Sequence, residues 1–309
     1  TVDIGYLSTR EEYVQRLQSG DWGGKRVAAA APPDTDIGAP ARYGAYGGVK
    51  PAPRRRLRLL DVVPTSVMDG ASFFYTQELT TFDTDAAETA EGQIKPAANA
   101  DYSSTQQVIA STIATYLRFK REQLSDVPQL AQSAQDLLLY KINRRLENSM
   151  LSGSGVAPNL LGILSTTGIG SIAFTTGAVL ADLVGAGISA VLTSQFEPDA
   201  VVVNPADLET MWTAKTSGSG AYYGQGPFME TPDQLWGLPA IVSTAVAVGT
   251  CLVGDFGLGC RVYIREAPLI RVSDADQDAF VRGEVVMLSE LRAGFAVFYP
   301  TAFALVHLK

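Results

Sequence analysis

Apolar residues recur every four positions from Leu130 through Ala134, Leu138, Ile142 and Leu146 to Met150, with Leu137 and Leu139 beside the row. That spacing predicts one helix of about 23 residues, about 35 Å long at 1.5 Å per residue. Ser125 and Asp126 are its candidate N-caps, Pro128 falls in its first turn and Gly153 lies just past its end. A second three-four repeat, Leu180, Leu183, Val184, Gly187, Ile188, Val191 and Leu192, predicts another amphipathic helix. Between them, residues 153 to 172 read as loop. Ala200-Val201-Val202-Val203 then reads as a buried strand, and Asn204 as an N-cap with Pro205 at the first helical position and Asp207 in the first turn, opening a helix through Lys215 that Ser217-Gly218-Ser219-Gly220 ends. Short strands fill the remainder, among them Ala240 to Ser243, Arg261 to Ile264 and Ala302 to Val306.

Residues Ser66 to Phe119 form an antiparallel excursion. Its outgoing limb, Ser72-Phe73-Phe74-Tyr75-Thr76, and its return limb, Val108 to Leu117, carry the β-branched and aromatic residues that suit a pleated surface. Thr80 to Ser104 between them is mostly Thr, Asp, Glu, Ala and Asn, with no apolar face at the far end. A two-stranded ribbon is marginal on its own in water, so this one is expected to lie on another subunit. Ahead of it, a short helix is expected over Thr9 to Gln18, with Tyr13 and Leu17 on one side and Gly20 at its end. Ala28 to Pro53 is dense in Ala, Gly and Pro and is expected to be ordered by partners or not at all.

Composition narrows the class. A chain of 309 residues is long enough for one large or two ordinary domains. Charged residues are 18% of the total, below the roughly 25% typical of soluble domains, which fits a protein with much of its surface in contacts. Lys plus Arg number 24 against 32 Asp plus Glu, a net charge of −8 that argues against nucleic-acid binding by the chain as a whole and leaves room for a local basic stripe. Cys251 and Cys260 read as two buried thiols rather than a disulfide framework. No apolar run reaches the roughly 18 residues a membrane span needs, and neither a membrane span nor a signal peptide is expected from these residues. The Thr1 start is that of a processed N-terminus or a cloning boundary.

Candidate chemistry is sparse. A catalytic triad or zinc site needs histidine or clustered thiolates, and the single histidine, His307, sits in a terminal strand. Gly168-Ile169-Gly170-Ser171-Ile172-Ala173 matches the dinucleotide fingerprint formally but lacks the preceding buried strand that the chemistry requires. Asp274-Ala275-Asp276-Gln277-Asp278 opens like a calcium loop, then places Ala279 where the turn demands Gly and Val285 where a bidentate Glu belongs, so it reads as a solvated acidic turn. Neither a cofactor nor a metal is expected. The cluster Arg54-Arg55-Arg56-Leu57-Arg58 offers phosphate binding or pairing with carboxylates of neighbouring chains; the interspersed leucines favour a half-buried, pairing segment.

The order of parts, a Pro/Gly arm, an arginine-leucine segment, a ribbon, a spine helix, a mixed body and returning strands, resembles the major capsid protein family of tailed double-stranded DNA bacteriophages, the Hong-Kong-97-like fold. The resemblance is carried by Ile142-Asn143-Arg144-Arg145-Leu146 with Asn159-Leu160-Leu161-Gly162, by Val203-Asn204-Pro205-Ala206-Asp207, by Leu235-Trp236-Gly237-Leu238-Pro239 and by Tyr299-Pro300-Thr301-Ala302. It implies an α+β fold with an N-terminal arm over 1–52, an extended loop over 65–107, an axial domain over 156–267, and a peripheral domain assembled from 53–64, 108–155 and 268–309. It also implies a structural protein, not an enzyme, that assembles with itself into pentamers and hexamers around double-stranded DNA without reading sequence. Further partners would be a portal protein at one vertex and a decoration or cement protein, with no membrane. The place would be the virion capsid, built in the host cytoplasm.

Within that family a lysine on the loop of one member joins an asparagine of another subunit by an isopeptide bond, helped by a glutamate in an apolar setting. Here Lys95 and Glu290 match the lysine and glutamate positions, and the acceptor position is Gly283, which has no carboxamide to attack. The resemblance therefore implies a shell without that crosslink. Lys95 and the arginines Arg54, Arg55, Arg56 and Arg58 are left as subunit contacts, and Glu290 as a structural carboxylate. A nanocompartment shell enclosing protein cargo on the same fold is the alternative, and a nucleotide-binding α/β enzyme is the rival from another class.

Overall fold

The computed structural model describes residues 50–78, 87–96, 102–103, 105–127, 129–215, 220, 222, 233–276 and 278–309. The helix expected over Thr9 to Gln18 and the glycine-serine stop at Ser217 lie outside the described residues. The chain divides into two compact units, one from Thr1–Arg56, Ile113–Arg145 and Ala267–Leu291, the other from Leu57–Thr112, Leu146–Glu266 and Arg292–Lys309.

In chain order the elements begin with α1 (Leu59–Val62), β1 (Thr65–Val67), β2 (Ser72–Tyr75), β3 (Gln106–Ile109) and β4 (Ser111–Lys120). Helices α2 (Arg121–Asp126) and α3 (Gln129–Ser152), strand β5 (Gly170–Ile172), helix α4 (Leu180–Thr193), strand β6 (Ala200–Val203) and helix α5 (Pro205–Thr213) follow. The chain closes with β7 (Gln234–Leu235), β8 (Leu238–Val242), β9 (Thr250–Gly254), α6 (Phe256–Gly259), β10 (Cys260–Ser273), α7 (Ala279–Arg282), β11 (Glu284–Val297) and β12 (Phe303–His307).

The spine helix is α3, and every member of its spacing-four row is buried, from Leu130 to Met150. Its start differs from the expectation. Asp126 closes the separate helix α2, and Val127 leaves the helical region at φ −125° and ψ 86°, because the residue before a proline is driven out of it. Ser125 and Asp126 are therefore not the N-caps of the spine. In the first unit, Leu124, Val127, Leu130, Ala131, Ala134 and Leu138 close over Val285 and Met287 of β11, with Leu117 and Phe119 of β4 and Val272 of β10 at the margin. Outward-facing positions of these strands carry Tyr116, Arg118, Arg271 and Ser273, the period-two alternation of a sheet covered on one side.

In the second unit six strands take the order β5-β12-β9-β6-β8-β7. All four residues of β6 are fully buried, as a β-branched run at the centre of a covered sheet should be. Strand β6 runs parallel to β8 and antiparallel to β9. Helix α4 lies on β12 so closely that a Cβ on Gly187 would stand 2.6 Å from Cγ2 of Val306, which is why glycine occupies that helical position. Leu192, expected on the buried face, is 50% exposed in the last turn. Asn204 caps α5 as expected, its Oδ1 accepting from the Ala206 N–H at 3.1 Å, while its Nδ2 donates to the Val246 carbonyl at 2.8 Å. That helix ends at Thr213, two residues before Lys215.

The β7–β8 turn places Trp236 at φ 54° ahead of Gly237 at φ 83°. Its indole N–H donates to the Ala181 carbonyl of α4 at 2.7 Å, which holds a large residue in a backbone region it seldom visits. Strand β11, fourteen residues long, has no counterpart among the sequence expectations, and β10 is far longer than the four residues anticipated.

Candidate assembly surfaces

The ribbon is a short antiparallel ladder in which Ser72 pairs with Ile109, Phe73 with Val108, Phe74 with Gln107 and Tyr75 with Gln106. The return limb splits at Ala110, so that Ser111 onward pairs with β11 instead of β2. Alternation gives the ladder two unlike faces. On one, Phe73 stacks on Tyr263 at 4.7 Å and Tyr75 meets Phe298 edge-on at 5.0 Å, over Met68, Val108 and Ala296. Burial pushes the Tyr75 phenol above its ordinary pKa, with Tyr263 adding to the shift. On the other face Phe74 is 58% and Ile109 62% exposed, diagonal neighbours across the ladder.

Farther out, the Ser103 N–H donates to the Gln77 carbonyl at 2.7 Å and a single bridge joins Glu78 to Tyr102. Residues 87–96 are exposed throughout, Lys95 among them, and the adjacent Ile94 is 94% exposed.

Arg54, Arg55 and Arg58 are half-buried and Arg56 is exposed. The Arg54 guanidinium lies 5.5 Å over the Tyr140 ring of α3, a seat that no sequence signal announced. Gly283 ends α7 in the left-handed region at φ 66°, and its carbonyl accepts from the Arg121 N–H at 2.9 Å. Glu290, seven residues along on β11, is partly exposed and faces Arg271 at 3.8 Å, a charged rather than an apolar setting.

The acidic turn is not simply solvated. Asp274 pairs with Arg121 at 3.0 Å and Asp276 with Arg118 at 2.7 Å. Among the described residues no group of three or more His, Cys, Asp or Glu is placed to hold a metal. Gly170 of the formal dinucleotide match opens strand β5 and not a helix, so the match has no helix N-terminus to offer a pyrophosphate. Both cysteines are free and buried, and burial pushes the Cys251 thiol up to about 12, with Asp207 contributing. Among the described residues no helix is long and apolar enough to cross a membrane.

Solved structures share this architecture. A chain from Microbacterium phage Oxtober96 superposes with a TM-score of 0.68 at 13% identity over 86% of this chain and 95% of its own. The capsid of the native GTA particle gives 0.66 at 18% identity over 86% and 94%. The fold is that of the Hong-Kong-97-like capsid proteins, a mixed helix-and-sheet class. The major capsid protein of Enterobacteria phage HK97 is 30% identical over 249 residues, which is 80% of this chain and 64% of that protein, so the chain spans just under two thirds of the relative's length. Residues 51–308 match the phage capsid family, and the chain belongs to it.

Proposed function

We propose that copies of this chain assemble into the pentamers and hexamers of an icosahedral shell that encloses double-stranded DNA. What carries this reading is the ribbon: its root is fixed by an aromatic cluster while its outer face presents Phe74 and Ile109 and its far residues are exposed. Exposed aromatic and branched apolar groups on a two-stranded projection suit burial against a sister chain. In this scheme residues 53–64, 108–155 and 268–309 form the peripheral domain, 156–267 the axial domain, 65–107 the loop that reaches a neighbour and 1–52 the arm. Lys95 and Arg54, Arg55, Arg56 and Arg58 make contacts between copies. Assembly in the host cytoplasm, a portal at one vertex and a decoration or cement protein complete the proposal.

Negative-stain imaging of the purified protein tests it. Closed shells or capsomers are the expected result, and a monodisperse small oligomer at every protein concentration and ionic strength would overturn it. Boiling the particles in detergent tests the crosslink separately. Because Gly283 has no carboxamide and Glu290 faces Arg271, a single monomer band is expected, and a ladder of covalent multimers would contradict the inference.

A further inference from the structure

Cations cluster on two segments of the first unit. Arg54, Arg55 and Arg56 run along the entering segment, and Lys141, Arg144 and Arg145 are exposed one helical turn apart on α3. The two sets meet where Arg54 stacks on Tyr140, the residue next to Lys141. Neither Lys50 to Leu60 nor Leu137 to Leu146 contains a single carboxylate, in a chain whose acids outnumber its bases by eight.

Lys141 and Arg144 have no exposed apolar anchor beside them in sequence. The large exposed hydrophobics lie elsewhere, and among the described residues none falls in 50–64 or in 129–155. Protein interfaces are centred on desolvated aromatic and aliphatic anchors, with charge at the rim. A cationic strip without such a centre matches a polyanion held by its backbone charge. Guanidinium and ammonium groups spread along a helix can each neutralise a phosphate without reading a base edge.

Resting on the reading that the shell encloses DNA, we propose that the exposed side of α3 is a sequence-independent phosphate-binding surface for the duplex, with Lys141 and Arg144 making direct contacts while the arginines of the entering segment serve the contacts between copies. Local binding of this kind is compatible with a net charge of −8, because the phosphate backbone is felt over about one Debye length, about 8 to 10 Å in physiological salt.

The full chain, kept below the concentration at which particles form, is titrated with a random-sequence duplex of about 30 base pairs while fluorescence anisotropy is followed from ~50 to ~200 mM salt. Wild type is expected to bind, with an affinity that falls steeply as salt rises. Lys141→Gln with Arg144→Gln is expected to weaken binding of every duplex sequence alike and to lower the log-log salt slope by about 2, one for each lost phosphate contact. The charge-preserving pair Lys141→Arg with Arg144→Lys is expected to keep the slope. Both sites are exposed, so an unchanged thermal melt verifies that the variants fold.

An unchanged slope in the glutamine pair overturns the proposal, as does the absence of wild-type binding at the lowest salt. It is equally overturned if the glutamine pair binds DNA normally but no longer forms particles, which would assign the face to an acidic surface of a second copy. Shells seen by imaging without DNA binding leave the assembly reading standing while this one falls.

Discussion

At the scale of single residues, the positions that matter most are those where one atom decides what is tolerated. Gly283 holds a left-handed backbone, and an added Cβ would meet nothing within 4 Å, so any cost of substitution there is conformational. Gly283→Ala is expected to lower stability by about 1 kcal/mol in denaturant unfolding, and Gly283→Asn by less, because asparagine visits that region more readily. Equal losses for the two would point to a steric cause instead.

Asp199 gives a pH signature. Its carboxylate accepts from the Phe256 and Gly257 N–H groups, each at 2.9 Å, at the head of α6. Burial nevertheless raises its pKa, with the neighbouring Asp255 adding to the rise and the backbone bonds opposing it. A raised folded-state pKa means that the native chain takes up this proton before the unfolded chain does. The ionised group therefore weighs against folding above the folded pKa, and that burden lifts as pH falls toward the unfolded value near 3.8. As pH falls from neutral to below 3.8, wild type is expected to gain stability relative to Asp199→Asn in parallel urea titrations. A constant difference across that window would remove the argument.

At the scale of elements, the sequence was most readable where the signal is local. The α3 row, the β6 run and the Asn204 cap each announce themselves within a few residues, because helix periodicity, a buried β-branched strand and a side-chain cap are short-range devices. Strand β11 was invisible for the opposite reason. Its outer positions Glu290 and Arg292 face Arg271 and Glu266 on β10, so its apolar alternation is interrupted by charges whose partners lie some twenty residues away. The false start of the spine arose from Asp126 and Pro128, which have the composition of a cap, while the non-helical Val127 separates two helices. Close packing is equally silent in sequence. Gly187 looks like a weakness in a helix, yet Val306 and Val253 leave no room for a side chain there. Gly187→Leu is expected to destabilise by about 1 to 3 kcal/mol despite leucine's better helix propensity, as overpacking does. A melt unchanged from wild type would show that α4 can lift from β12 at little cost.

At the scale of the whole molecule, exposed apolar groups and exposed cations each have their own use. The ribbon's outer face exposes Phe74 and Ile109, and α3 exposes Lys141, Arg144 and Arg145. Phe74→Ser with Ile109→Ser leaves the aromatic root intact and removes only the outward groups. Particle formation followed by light scattering is expected to fall at least tenfold, with the melt of the unassembled chain shifted by no more than about 0.5 kcal/mol, as for ordinary surface changes. Normal particles from this variant would move the principal contact away from the ribbon. Neither face was legible from composition, since −8 is a sum over the chain and says nothing of where the charges sit.

The stacked rings beneath the ladder also decide where the projection can bend. With Phe73 against Tyr263 and Tyr75 against Phe298, the first four rungs are clamped to the body. Beyond Tyr75 the limbs are joined by the Gln77–Ser103 bonds and one Glu78–Tyr102 bridge. A torque on the ribbon beyond Glu78 would therefore meet its first rigid support at the fourth rung, and the packing underneath would be spared.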